Sequence, residues 1–221
     1  MADLCVNPVI LSGSGWEGYG LVDSGHGRKL ERYGPYRFIR PEGQALWTPR
    51  LADWQADGEF VPGSDEDGGG RWVFSQPVPR EGWELARGPV RFNAQCTPFR
   101  HLGFFPDMAP VWDWMGGELS GCAEAQTLNL FGYTGVGTLS LSANGPVTHV
   151  DASKKSVAQA RANAALSGME GRPIRWSTMR QSSPRARCGA GGVMTGSSSI
   201  RRSSDAARKA KSGGWRNTCP A

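Results

Sequence analysis

The chain has 221 residues, 25 Lys+Arg against 20 Asp+Glu and a net charge of +5, which leaves room for one large domain or two small ones. No apolar run approaches membrane-spanning length, and the N-terminus lacks a basic region followed by an apolar core, so a cytoplasmic location is expected. The positive balance is local: residues 1–176 hold 16 Lys+Arg against 19 Asp+Glu, whereas residues 177–221 hold nine basic residues and one acid, Asp205. A general nucleic-acid footprint over the body is therefore not indicated by charge.

Taken in order, the chain opens on a Gly-rich lead to about Gly20. From Leu21 to Val90 short apolar or aromatic segments, such as Tyr36-Arg37-Phe38-Ile39 and Arg71-Trp72-Val73-Phe74, alternate with Gly, Pro and Asp punctuation. Residues 62–70 form a loop, and Pro77, Pro79 and Pro89 exclude helices nearby. A small β-rich domain over residues 1–95 is expected. Its tryptophans (Trp16, Trp47, Trp54, Trp72, Trp83) suit core and edge packing; stacking of bases on exposed rings is the alternative.

After Phe99-Arg100-His101-Leu102-Gly103-Phe104-Phe105-Pro106-Asp107, the residues Met108, Val111, Trp112 and Met115 fall at helical spacing. Asp107 reads as the N-cap of that helix. No partner in sequence pairs with His101, and His149 falls inside a strand, so neither is assigned a chemical role. Five cysteines (Cys5, Cys96, Cys122, Cys188, Cys219) form no C-x-x-C pair and are odd in number, as reduced thiols would be; no metal site is expected.

From Thr127 to Asp151 the sequence reads as a strand, a tight Gly-rich turn, a short helix and a second strand closing on a carboxylate. Leu128 and Leu130 lie in a short apolar run that stops at glycines, as buried parallel strands do. Gly132, Gly135 and Gly137 permit a sharp turn, and an acid about twenty residues on is placed for a ribose. The order G-x-x-G-x-G, interleaved with Phe131 and Tyr133, makes a poor pyrophosphate cradle. It suits the rim of a sulfonium-bearing nucleoside, and a nicotinamide-dependent oxidoreductase is the less favoured use of the same corner. Ser153 caps the next helix, to Met169 and the Gly168 region, with Val157, Ala160, Ala164 and Leu166 apolar. Ile174-Arg175-Trp176 begins a third strand.

The run Leu128-Asn129-Leu130-Phe131-Gly132-Tyr133-Thr134-Gly135, with Val150-Asp151-Ala152-Ser153 and the upstream Gly103-Phe104-Phe105-Pro106-Asp107, resembles class I S-adenosylmethionine (SAM)-dependent methyltransferases. The nearest likeness is to the bacterial ribosomal RNA large-subunit methyltransferase I-like group, over about Phe99 to Trp176. The resemblance implies an α/β architecture: the N-terminal β-rich domain, then a truncated Rossmann-like sheet over residues 96–176. It also implies SAM as cofactor, a ribosomal RNA base as acceptor, and cofactor contacts from Phe105, Asp107, Asn129, Phe131, Gly132, Tyr133, Thr134, Gly135, Asp151, Ala152 and Ser153. No catalytic residue is assigned: carbon-5 methylation of cytosine needs a thiol, and Cys5, Cys96 and Cys122 do not lie where the motif would place one.

Residues 177–221 contain nine serines and no Leu, Phe or Tyr, so a disordered tail is expected. Read one nucleotide out of register, Val193 to Asp205 permits x-Tyr-Asp-Gly-Ile-Ile-Leu-Asp-Pro-Pro-Lys-Phe-Gly. That string contains the Asp-Pro-Pro-Lys motif that the resembled group carries after its fourth strand. A frameshift near codon 177 and an incomplete, inactive product follow as expectations. The rival reading is a non-enzymatic RNA-binding protein using the aromatic β domain and the basic tail.

Overall fold

The computed structural model describes residues 10–13, 15–63, 69–122 and 125–178, together with the backbone of 193–195 and 198–201. The N-terminal half is a five-stranded sheet in the order β1 (Tyr19–Gly25), β2 (Arg28–Tyr33), β3 (Tyr36–Pro41), β4 (Gly58–Pro62), β5 (Gly70–Phe74). Neighbours are antiparallel except β3 and β4, which run parallel because residues 42–57 cross back between them. Strands β6 (Trp83–Arg87) and β7 (Val90–Ala94) form a separate hairpin.

Aromatic side chains fill the space between these pieces, because a small sheet reaches adequate apolar burial most readily with large rings. Phe38 stacks on Trp83 at 5.6 Å, and Phe92 meets Phe104 edge-on at 4.8 Å. Trp16, Trp72 and Trp83 thus take the packing role, whereas Trp47 stays 57% exposed. A charged cluster unread in the sequence lies within the same domain. Glu31, fully buried, accepts from Arg40 Nε at 2.7 Å, Arg40 Nη2 at 2.9 Å and Tyr19 Oη at 2.8 Å. Arg40 also donates to the carbonyl of Arg100 at 2.8 Å, tying this sheet to the segment that enters the second half.

The second half begins with a 3₁₀ turn at Pro106–Met108 and α1 (Ala109–Leu119), then alternates strand and helix: β8 (Gln126–Leu130), α2 (Val136–Leu141), β9 (Val147–Asp151), α3 (Lys154–Leu166), β10 (Ile174–Thr178). Strand β9 lies parallel between β8 and β10, giving the order β10-β9-β8 of a doubly wound half. Ser153 Oγ accepts from Ser156 N at 3.1 Å, the cap expected from sequence. The opposite end of α3 closes with Gly168 N donating to Ala165 O and Met169 N to Ala164 O. Asp107, by contrast, caps nothing: Pro106 starts the 3₁₀ turn, so Asp107 falls inside it, exposed, and Met108 occupies the cap position of α1 without a side-chain bond.

The free edge of β8 is taken by β12 (Ser198–Arg201), antiparallel to it and paired in turn with β11 (Val193–Thr195). Of the expected tail, these two short strands and Ser177–Thr178 at the end of β10 are described; the remainder lies outside the described residues.

Candidate functional site

Strands β8 and β9 end side by side, Leu130 opposite Val150, so the turn after β8 and the acid after β9 meet at one edge of the sheet. That turn is held in an unusual backbone. Phe131 (φ 55°), Tyr133 (φ 50°) and Gly135 (φ 83°) all adopt left-handed conformations, though only the last is glycine. A side-chain-bearing residue in this region costs on the order of 1–2 kcal/mol, and such strain persists only where the surroundings enforce it. Here Gly132 N donates to Val150 O at 3.0 Å, Tyr133 N to Asp151 Oδ2 at 2.9 Å and Gly135 N to Gly132 O at 2.9 Å. Thr134 Oγ1 donates to the carbonyl of Gly103, and Asn163 Nδ2 of α3 to Thr134 O at 2.9 Å.

Beneath the turn lies a buried polar row of Asn129, Thr138 and His149. Asn129 Nδ2 donates to Thr138 Oγ1 at 2.8 Å, and the same hydroxyl lies 2.8 Å from Nδ1 of His149. His149 is fully buried, its ring 5.0 Å from that of Trp176, and burial holds its pKa below the ordinary imidazole value. Among the described residues its Nε2 meets no hydrogen-bond partner. The backbone of Gly132 presses directly on this imidazole: a Cβ there would fall 2.5 Å from Cε1 and still closer to Nδ1.

The facing wall is the segment before α1. Phe104 turns into the aromatic core, 3% exposed and 5.7 Å from Tyr33, while its neighbour Phe105 turns the other way, 5.2 Å from Tyr133. His101 stands edge-on to Phe105 at 4.8 Å, half-buried, its pKa lowered by desolvation and by Arg40 and Arg100. The hollow between the turn and this wall measures about 40 Å³. A nucleoside needs a pocket several times larger, typically 300 Å³ or more. The sequence leads one to expect a space for adenosine with a methionine chain; in the structure Phe105 and Tyr133 close it, with Met108 and Trp112 behind.

Of the expected cofactor residues, Phe105, Asn129, Phe131, Gly132, Tyr133 and Thr134 line that hollow. Asp151 stands next to it, through its bond to Tyr133 N, and its second oxygen accepts from Ser153 N at 2.8 Å. Gly135, Ala152, Ser153 and Asp107 are not on its wall; Gly135 instead lies against α3, where a Cβ would sit 2.7 Å from that of Ala160. Thr138 and Asn163 are not expected at the site from sequence, and His149, expected only as a strand residue without a chemical role, supports the turn. Period-2 alternation in β9 puts His149 on the inward face with Val147, a signal for burial though not for its contact with the turn.

The residues present fit SAM in kind. A left-handed turn brings main chain close to a ligand, and each Asp151 oxygen has accepted one backbone N–H, leaving lone pairs for ribose hydroxyls. In volume the hollow as it stands is smaller than SAM needs. Cys96 is a poor thiol nucleophile, its pKa pushed up to about 12 by burial. Among the described residues no helix is long and apolar enough to cross a membrane, and no group of three His, Cys, Asp or Glu could hold a metal.

No protein-family model matches the chain, and neither does any curated protein. Solved structures do. A SAM-dependent methyltransferase from Agrobacterium tumefaciens shares 46% identity over 76% of this chain and 55% of its own, with a TM-score of 0.70. A protein from Streptococcus mutans described as a SAM-dependent methyltransferase superposes with a TM-score of 0.56 at 16% identity, over 76% of this chain and 47% of its own. A methyltransferase complexed with S-adenosylhomocysteine (SAH) gives the same figures. The chain is thus similar in sequence to a SAM-dependent methyltransferase, shares the fold of the other two, and spans about half the length of these relatives.

Proposed function

We propose that this chain is the cofactor-binding part of a SAM-dependent methyltransferase acting on a base of ribosomal RNA, of the large-subunit methyltransferase I-like kind. The observation that carries the reading is the 2.9 Å bond from Tyr133 N to Asp151 Oδ2, which joins the Gly-rich turn and the ribose-side acid at a single point. Residues Phe131 to Gly135 and Asp151 to Ser153 would hold the cofactor, with Asn129, Phe105 and Asp107 at its margins. Bound SAM supplies a methyl group on a sulfonium, open to in-line displacement by an acceptor atom. The chain's own contribution is then positional: the turn fixes how close the nucleoside approaches, and Asp151 orients it. The RNA acceptor rests on the resemblance of the Leu128–Gly135 and Gly103–Asp107 motifs.

We further propose that binding is weak and the isolated chain inactive. The 40 Å³ hollow supports this, as does the composition of residues 177–221, read here as out of frame from about codon 177. The antiparallel placement of β12 beside β8 is in keeping with that reading, because a doubly wound sheet continues there with a parallel strand. Titration calorimetry with SAM tests the site: heat that fits an affinity weaker than micromolar and is abolished by Asp151→Ala supports it. Micromolar binding would contradict the closed hollow, and weak binding indifferent to Asp151 would contradict the site itself. Sequencing the gene tests the frame; absence of an alternative-frame Asp-Pro-Pro-Lys ends that part.

A further inference from the structure

The first sheet carries a second concavity, apart from the methyl-transfer reading. Residues 42–57 make a long crossing without regular structure, and loops of this length inside a compact domain tend to be functional. This one is fixed firmly. Asp23 accepts from Leu51 N at 2.8 Å, Arg50 N at 3.3 Å and Trp54 Nε1 at 3.0 Å, and Trp47 Nε1 donates to Ser24 O at 2.8 Å. So held, the loop displays Leu46 (82% exposed), Trp47 (57%) and Leu51 to solvent and encloses a pocket of about 360 Å³ against the β1–β2 hairpin.

The wall of this pocket combines a planar ring with an ion-paired guanidinium. Arg28 lies over the Trp54 ring, 5.6 Å from its centroid, braced by Glu59 at 3.3 Å. Ile39 and Leu51 provide an apolar surface, while Asp53 and His26 offer polar groups. His26, at φ 50°, and Gly27, at φ 73°, are the two central residues of the β1–β2 hairpin turn, which brings His26 to the pocket wall. The volume exceeds what one base requires and falls within the range of built ligand sites. Rings and guanidinium planes stack on flat π-systems, and a base edge carries both donors and acceptors.

We propose that this pocket takes an unpaired nucleobase of single-stranded RNA, stacked on the Arg28–Trp54 wall. The site stands whether or not the chain transfers a methyl group. Because the body of the protein is not basic, stacking supplies the affinity. With one or two phosphates neutralised, the slope of log K against log salt is shallow, about −0.7 to −1.4.

Fluorescence anisotropy of the full chain with a labelled seven-nucleotide RNA tests this, alongside an abasic oligomer of equal charge. Trp54→Ala and Arg28→Ala, both on the pocket wall, are each expected to weaken binding roughly fivefold or more, the loss expected for one stacked base. Leu166→Ser, exposed in the second half, should leave binding unchanged. Melting curves of each variant confirm that the fold is intact. The proposal is overturned if the RNA does not bind, if the abasic oligomer binds as tightly as the complete one, or if both pocket variants bind like the parent chain. A steep salt slope that persists in the variants points to purely electrostatic binding and also overturns it.

Discussion

Gly132→Ala isolates the contact on which the turn rests. The added methyl carbon would lie 2.5 Å from Cε1 of His149, roughly 1 Å inside normal carbon–carbon contact. The imidazole cannot simply retreat, because Nδ1 is 2.8 Å from Thr138 Oγ1 and Trp176 lies beside the ring. Overpacking of this kind costs about 1–3 kcal/mol, which for a chain of this size lowers Tm by about 2–12 °C. His149→Ala alone is destabilising through the cavity it leaves, but in the double variant the new methyl has room. Denaturant unfolding of the parent, both single variants and the double should therefore give a coupling of about 1–3 kcal/mol in the rescuing direction. Strict additivity would refute the claim that the imidazole supports the turn.

Glu31→Gln leaves Arg40 buried without its carboxylate and should cost about 3–5 kcal/mol, read by urea unfolding. Burial pushes the Glu31 carboxyl up, but the Arg40 guanidinium outweighs it and holds the group below its usual value near 4.5. Its stabilisation is thus complete above pH 4.5 and lost on acidification below that, which the Gln variant should not show. Ser153→Ala removes the cap on α3 and should lower stability by about 0.5–2 kcal/mol. Asp23 is held down to about 2 by the amides of Leu51, Arg50 and Ser24 and the Trp54 indole. Its contribution persists above pH 4 and disappears between about pH 4 and 2, so Trp47, whose indole is tied to Ser24, should change its fluorescence in that window; Asp23→Asn should abolish the transition.

The second half was legible because its signals are local. The apolar run of β8 stops at the glycines of the turn, Ser153 precedes its helix by one residue, and Ile174 opens a strand where α3 must return to the sheet. Each depends on neighbours within a few positions, where backbone propensity and capping act. The first half was legible only as β-rich. Its strand order depends on the 42–57 crossing and on Glu31 finding Arg40 nine residues on, and alternation along a strand says nothing about either. Asp107 shows the limit of local reading from the other side: a good cap residue after proline lost the position because the turn began one residue earlier.

The candidate site divides along the same line. The turn and Asp151 belong to one strand–helix–strand unit, so their meeting follows from parallel pairing of β8 and β9 alone. The closing of the hollow does not, because it depends on where a different segment points its side chains. Phe104 is drawn into the rings of Tyr33, Phe92 and Trp16, and that burial forces the next residue, Phe105, outward onto Tyr133. Arg40, bonded to Arg100 O, anchors the start of the same segment to the first sheet. The β-rich half therefore sets the width of the hollow, and variants at Phe104, which is both in that core and on the wall of the hollow, should alter ligand access at Tyr133. A site whose residues come from one motif can be read from sequence; a site whose opening is fixed by a packing core drawn from distant segments, Trp16 and Tyr33 among them, cannot.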